Sequence, residues 1–261
     1  MSLPDATGLG LDPVVLAGML TRPRDKANQA IEAIREHLAQ HRGYVAWSGG
    51  KDSTATLDLA LRADPQVPVC WFDSGLELPP NRAYIARLAE TRQVNLHVIK
   101  AIPDALTVLM ATGAWDHHAS SPSMSAPDMH DTLIKEPSRQ AHEMFGPGEL
   151  WGLRAAESAG RKALLAPGKG VFHRADGTVP FSPVWDWRDT DIYGYLASRG
   201  VPENPVYEML RAAGGSERDL RVGLAIDGNG LEHGRALLLR RAFPDMWTDL
   251  LRALPRLAEW A

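Results

Sequence analysis

Cysteine is nearly missing from this chain: Cys70 is the only one in 261 residues. A single thiol excludes an internal disulfide, a CxxC redox pair and a multi-cysteine zinc or iron–sulfur site. Neither sign of charge predominates, with 28 Lys and Arg against 32 Asp and Glu. The formal net charge is -4 and no long basic run occurs, which argues against strong nonspecific nucleic-acid binding by the chain alone and leaves room for a local basic patch. No apolar run reaches the length of a membrane span. The opening MSLPDATGLGLDPVV has neither the basic nor the apolar region of a secretion signal. The expectation is a cytoplasmic protein with no membrane association. Internal repeats and low-complexity segments are absent as well. What is present is apolar material: 44% of the residues are hydrophobic, enough to build a core.

Periodicity organises that material. Ala27, Ile31, Ile34 and Leu38 fall at helical spacing within Asp25 to His41. GYVAW then reads as a short buried strand, followed by a glycine loop and the helical STATLDLALRA. VPVCWF is a second strand, NRAYIARLAETR a helix and NLHVIK a third strand. Strand–helix alternation of this kind predicts βαβ units on a parallel sheet. From Thr112 to Pro127 the pattern fails, and a loop of that length is usually functional or mobile. A weak helix is expected from Asp131 to Met144, a fourth strand at ELWGLR and a hairpin at GVFHRADGTVPF, where Asp176-Gly177 is a turn dipeptide. DTDIYGYLASRG reads as a helix with Asp189 or Thr190 near its cap and Gly200 at its end. The remainder is helical, with breaks at Gly214-Gly215 and at 227–230. Three regions are expected: a helical segment at 1–42, a nucleotide-binding domain at 43–207 and a helical extension at 208–261.

The stretch AWSGGKDST, 46–54, carries the strongest chemical signal. A Walker A loop requires glycine at 45 and a hydroxyl residue at 52, where Val45 and Asp52 stand. The GxGxxG fingerprint is absent. Ser48, Gly49, Gly50, Asp52 and Ser53 match the SGGxDS loop of ATP pyrophosphatases. Two glycines let a backbone approach an anion. A helix starting near Ser53 would aim N–H groups and partial positive charge at it. Lys51 adds a full charge, and Ser48, Ser53 and Thr54 add hydroxyls. Asp52 would repel phosphate, so it is read as a partner of helix-terminal N–H groups or as a magnesium ligand.

With that loop, three further segments carry a likeness: DSGLELPP at 73–80, GLRAAESAGR at 152–161, and PVWDWRDTDIYGYLASRGVPENPVY at 183–207. Together they resemble the phosphoadenosine-phosphosulfate-reductase-like branch of the PP-loop ATP pyrophosphatases. The resemblance implies an α/β fold, adenine-nucleotide α-hydrolase-like, with a Rossmann-like parallel sheet and helices on both faces. It implies ATP, or a sulfated adenosine nucleotide, at the carboxyl ends of the strands, in agreement with the rule for open α/β sheets. Carried over, Ser48, Gly49, Gly50, Lys51, Asp52, Ser53 and Thr54 surround the phosphates. Asp73, Ser74, Gly75 and Glu77 lie at the neighbouring strand end, and Arg154, Glu157, Ser158 and Arg161 approach from the fourth strand. Arginine suits oxyanions. Glu157 would orient an arginine or hold a metal, and Asp73 would bind magnesium or cap its turn.

Reductases of this family resemble one another in a redox cysteine near the C-terminus, which this chain lacks. Cys70, inside an apolar strand pattern, is read as structural. SGGKDSTA and GLRAAES are most similar to the ATP pyrophosphatase components of DNA phosphorothioation systems. That likeness implies ATP cleaved between α and β phosphates with Mg2+, DNA as the acceptor within a complex, and a cysteine desulfurase as partner; the larger of those components carry an iron–sulfur cluster, and this chain departs from them in having a single cysteine, so no iron–sulfur cluster is expected. Lys51, Asp52, Arg154, Glu157 and Arg161 are the expected catalytic residues. A sulfonucleotide-handling relative without redox chemistry and a non-catalytic nucleotide-binding subunit are the alternatives. His117 and His118 have no third ligand at recognisable spacing, and Trp115 beside them suits a lid or docking loop. Trp185 and Trp187 are read as packing residues, and the arginine- and leucine-rich C-terminus as a packing helix pair with a solvated basic edge or else a docking face for a partner or nucleic acid.

Overall fold

A computed structural model of the chain describes residues 24–113, 115, 127–217, 220–223 and 234–261. The N-terminal leader reading, the His117–His118 pair and the break at 227–230 lie outside the described residues.

Four parallel strands form one sheet in the order β3-β2-β1-β4. They are β1 (Gly43–Ala46), β2 (Val69–Asp73), β3 (Leu96–Lys100) and β4 (Gly148–Leu150). Register is set by Val45 opposite Val69 and by Tyr44 opposite Glu149. All three residues of β4 are buried, and so are Gly43, Tyr44 and Val45 of β1. Unbroken burial of this kind belongs to a parallel sheet covered on both faces. Helix α1 (Arg24–His41) covers the face of Gly148, where a Cβ would sit 3.0 Å from His41 Cβ and 2.5 Å from Arg42 O. Its stripe of Ala27, Ala30, Ile31 and Ile34 is buried, the expected i, i+3, i+4, i+7 pattern. Helix α5 (Glu136–Phe145) serves the opposite face, with His142 and Phe145 rings 5.3 and 6.3 Å from the ring of Tyr44.

The chain divides into two compact units. The first holds the described residues up to Cys70 together with Gln93–His97 and His142–Glu203. In it, α2 (Lys51–Ala63) packs against α1 and against α7 (Asp189–Ser198). A buried polar link reinforces the second contact. Asp58, 7% exposed, accepts from Tyr195 Oη at 2.6 Å and from Arg199 Nε at 3.0 Å. Lys26 of α1 reaches Asp191 of α7 at 2.8 Å. Trp187 is 1% exposed and edge-on to Tyr195 at 5.5 Å, which bears out its reading as a packing residue. The 3-10 turn Ala155–Glu157 and α6 (Ala159–Leu165) follow β4. The expected hairpin is present as a turn, with Gly177 at φ 85 and Val171 bridged to Phe181.

The second unit holds the described residues of Trp71–Arg92, Val98–Ala141 and Asn204–Ala261. Helix α3 (Pro79–Thr91) opens on two prolines, which suit its first turn. Helix α4 (Ala105–Ala111) is capped by Asp104. A π-helical turn at Asp131–Lys135 leads into α5, so the helix expected over 131–144 exists but begins with a wider turn closed by i→i+5 bonds. Asn204 caps α8 (Pro205–Ala212) by accepting from Val206 N at 3.1 Å, and its amide donates to Asn81 Oδ1 at 2.7 Å. The PENPVY stretch therefore works as a helix start. Helices α9 (Arg235–Ala242) and α10 (Pro244–Ala253) and the closing turn Pro255–Trp260 bury Leu239, Trp247, Leu250 and Leu257 with Val206 and Tyr207. Trp115 packs against the same cluster. Among the described residues no helix is long and apolar enough to cross a membrane.

Candidate functional site

The glycine loop is framed by its own side chains. Trp47 N donates to Cys70 O at 2.9 Å, extending β1 by one bond. Trp47 Nε1 donates to Thr54 Oγ1 at 3.0 Å, with both residues buried. Ser53 Oγ donates to Gly50 O at 3.0 Å and accepts from Ser48 N at 3.3 Å. Thr54 and Ser53 are thus committed to holding the loop's shape. Gly49 has φ 79, a left-handed conformation that favours glycine, whereas Gly50 is extended at φ -72. Helix α2 starts at Lys51, two residues before the expected Ser53. Its first-turn N–H groups are those left without an intrahelical acceptor.

A four-charge cluster sits on that first turn. Asp52 Oδ2 is 2.8 Å from Lys51 Nζ, and Asp52 Oδ1 is 2.6 Å from Arg154 Nε. Asp189 Oδ1 is 2.8 Å from Arg154 Nη2 and 3.3 Å from Lys51 Nζ. Arg154 is only 3% exposed. Burial works against its charge, but Asp52, Asp189 and Glu157 together raise its pKa. Arg154 Nε and Asp52 Oδ1 form a close ion pair, with the arginine almost fully buried. Asp52 sits in the first turn with its two oxygens on two cations, Lys51 and Arg154, an arrangement that neither sequence reading included. The cap itself is Gly50, with no side-chain hydrogen bond.

The GLRAAESAGR segment joins the same unit. Glycine is required at 152 because a Cβ there would lie 2.4 Å from Ser53 N. Glu157 Oε2 accepts from Arg154 N at 2.9 Å and pairs with Arg161, so it orients the two arginines. Ser158 Oγ accepts from Arg161 N at 3.1 Å and caps α6. Arg154 thereby meets Lys51 and Asp52 at the loop, and Glu157 links Arg154 to Arg161.

The DSGLELPP segment belongs to the second unit. Asp73, 4% exposed, takes both guanidinium nitrogens of Arg82, at 2.8 and 2.9 Å, and Gly75 N at 3.0 Å. Burial raises its pKa, yet Arg82 and the Gly75 N–H outweigh it and the net shift is downward. Asp73 therefore caps its turn, and it would have to give up Arg82 to ligate magnesium. Ser74 Oγ donates to Glu77 Oε1 at 2.8 Å, and burial pushes the Glu77 carboxyl up. Gly75 has φ 83.

Two functional candidates escaped sequence reasoning. Asp189 reads as a helix cap, but the cap position is Arg188, and Asp191 closes it by accepting from Arg188 N at 2.9 Å. Asp189 is thereby left for Lys51 and Arg154. Arg82 had no local signal beyond lying one helical turn into α3. A cleft of about 660 Å³, also in the first unit, is lined by α1 and the 168–187 segment, including His37, His41, His173 and Trp185, and by no loop residue.

The family model described as "Phosphoadenosine phosphosulfate reductase domain" matches residues 42–210. A phosphoadenosine 5'-phosphosulfate reductase of Alkalilimnicola ehrlichii is 27% identical over 246 residues, covering 91% of this chain and 95% of the relative. One from Xanthomonas campestris pv. campestris is 29% identical over 197 residues, covering 69% and 78%. Among solved structures, a phosphoadenylyl-sulfate reductase from Candida auris in a phosphate complex aligns with TM-score 0.50 and 18% identity, over 73% of this chain and 93% of that one. Candida glabrata FMN adenylyltransferase with FAD and pyrophosphate aligns with TM-score 0.50 and 13% identity, over 74% and 65%. At these identities the two structures show the fold.

Proposed function

Because this chain belongs to the phosphoadenosine phosphosulfate reductase domain family, we propose that its 48–54 loop binds ATP and splits it to AMP and pyrophosphate. One observation carries the reading. The SGGKDS loop is complete and backed by a buried arginine, while the lone cysteine offers no thiolate: Cys70 is 0% exposed and its thiol is pushed up to about 12, by burial first and then by Glu149. Nucleotide cleavage fits this set, and thiol reduction of a sulfonucleotide by Cys70 does not.

In the proposed reaction an acceptor oxygen bonds to the α-phosphorus as the bridge to the β-phosphorus breaks. The bridging oxygen keeps the electron pair and leaves in pyrophosphate; with water as acceptor the proton passes to solvent and AMP forms, and with a DNA phosphate oxygen, which carries no proton, AMP leaves when the sulfur nucleophile attacks the DNA phosphorus. Lys51, Arg154 and the first-turn N–H groups of α2 supply the stabilisation of that charge, and Arg161, oriented by Glu157, adds to it. One well-placed donor contributes about 3–4 kcal/mol to such a transition state. Among the described residues no group of three or more His, Cys, Asp or Glu could hold a metal. Asp52 and Asp73 are already engaged by cations. The side chains do not make a magnesium cage of their own; the ion fits as a companion of the nucleotide phosphates, the setting in which it commonly binds proteins.

The acceptor we favour is the DNA backbone, activated for sulfur that a cysteine desulfurase partner delivers. Likeness in SGGKDSTA and GLRAAES supports this choice. The relatives' names support a second reading, a sulfated adenosine nucleotide as ligand without reduction. Chromatography of products from ATP and Mg2+ tests the activity: AMP and pyrophosphate are expected, whereas ADP and phosphate would exclude the mechanism. Tight ATP binding with no turnover, even with DNA and a desulfurase added, would leave a nucleotide-binding subunit. Competition between ATP and a sulfated adenosine nucleotide separates the two ligands.

A further inference from the structure

The loop's cations are not waiting empty. Lys51 and Arg154 face two carboxylates, Asp52 and Asp189, so the cluster carries no formal net charge. Asp52 is fixed, because its side chain is 15% exposed and belongs to the loop itself. Asp189 is different: its side chain is 54% exposed, and one oxygen, Oδ1, meets both cations. That oxygen bridges a lysine and a buried arginine, two groups whose chemistry suits a phosphate oxygen as well as a carboxylate. Helix α7 holds it there from three directions. Asp191 ties the helix start to Lys26 of α1, Tyr195 and Arg199 tie it to Asp58 of α2, and Arg154 Nη1 donates to Trp187 O at 3.4 Å. Capping gives Asp189 no other duty, since Asp191 performs it.

From this geometry we propose that Asp189 is an internal competitor for Lys51 and Arg154: it weakens every anion at the loop by the same factor, so that a polyphosphate chain, with contacts to spare, still displaces it and a single oxyanion does not. The proposal rests on the loop being a polyphosphate site. A tethered carboxylate has an effective concentration of about millimolar or above, so a lone phosphate of similar affinity gains little by exchange. A polyphosphate brings several charged oxygens at once, and the first-turn N–H groups of α2 take those that the cations do not. An aspartate in a first helical turn is also favoured by the helix dipole. That plainer role predicts a change in stability and none in anion binding.

The test is isothermal titration calorimetry with sodium phosphate, sodium pyrophosphate and MgATP on wild type, D189N, D189S and D186N. Asp186 is exposed and close in sequence, so D186N removes the same charge from outside the cluster. D189N and D189S are expected to bind phosphate and pyrophosphate about tenfold more tightly than wild type, and D186N to match wild type. Unchanged or weaker anion binding in both Asp189 variants would overturn the proposal. An equal gain in D186N would overturn it too, because general charge would then be the cause. The two readings fail separately. Wild type that cleaves ATP while D189N gains no anion affinity sinks the role of Asp189 alone. Tighter pyrophosphate in D189N with no ATP binding by any variant upholds it and sinks the ATP reading.

Discussion

Gly152→Ala is the sharpest test of how the fourth strand positions the loop. An ideal Cβ at 152 would lie 2.4 Å from Ser53 N and 2.6 Å from both Asp52 C and Ser53 Cα. All three are backbone atoms of the first turn of α2, which cannot rotate away as a flexible side chain would. Ordinary contact begins near 3.4 Å, so the turn must retreat by about 1 Å. Its retreat is opposed by the Trp47–Thr54 bond and by Thr56 Oγ1, which donates to Trp151 O at 3.3 Å. Overpacking of this kind costs about 1–3 kcal/mol. For a chain of this size that is a fall in Tm of about 2–10 °C. The catalytic loss should be larger, because a displacement of about 1 Å can reduce turnover on the order of 100-fold. Differential scanning fluorimetry and pyrophosphate release measure the two effects. Gly160→Ala is the control: its nearest neighbour would be Ser158 Oγ at 3.9 Å, and the change should be neutral or slightly stabilising. Wild-type kcat/KM and Tm in Gly152→Ala would refute the claim that this contact sets the loop.

Lys51→Ala should abolish pyrophosphate release while the far-ultraviolet circular dichroism spectrum stays native; a folded variant with full turnover would remove the loop from the chemistry. Cys70→Ser should keep ATP turnover and any sulfur modification in cells, at a stability cost of about 1–3 kcal/mol for placing a hydroxyl in a buried apolar site. A folded variant that splits ATP but loses sulfur modification would make Cys70 a sulfur carrier. His37 supplies a pH test, because burial, with His41 next, pushes its imidazole from 6.5 down to about 4. A depressed base is neutral in the fold and protonates in the unfolded chain below 6.5, so its stability is complete above that pH and lost as pH falls toward 4. Between pH 7 and 5 the loss is up to about 2 kcal/mol, and urea midpoints of His37→Gln should show a shallower decline than wild type; an identical decline would rule His37 out.

Local signals were sufficient for the sheet and its helices. GYVA and VCWFD are short apolar runs bounded by turn residues, as a parallel sheet buried on both faces demands, whereas LHVIK lies at the sheet's edge, is apolar only in part and exposes Val98. The phosphate-type loop was equally legible, since Gly49 needs a left-handed φ and the strand–helix junction is encoded within nine residues. Side-chain partners were not legible in this way. Asp52 looked like a cap or metal ligand because its cation, Arg154, is 102 residues away, and its role depends on the charge that arrives. Asp189 looked like a cap because first-turn acids usually are; the arrival of Asp191 on the Arg188 N–H freed it for the loop. Arg82 gave Asp73 its bidentate partner only once α3 had folded back on its own strand. The run of residue types along the chain determined where backbone can bend, bury and present N–H groups, because those choices are settled within a few neighbours. Which carboxylate meets which cation was decided by tertiary packing alone, because an ion pair depends on distance in space, and that distance is set by every element folded between the two residues.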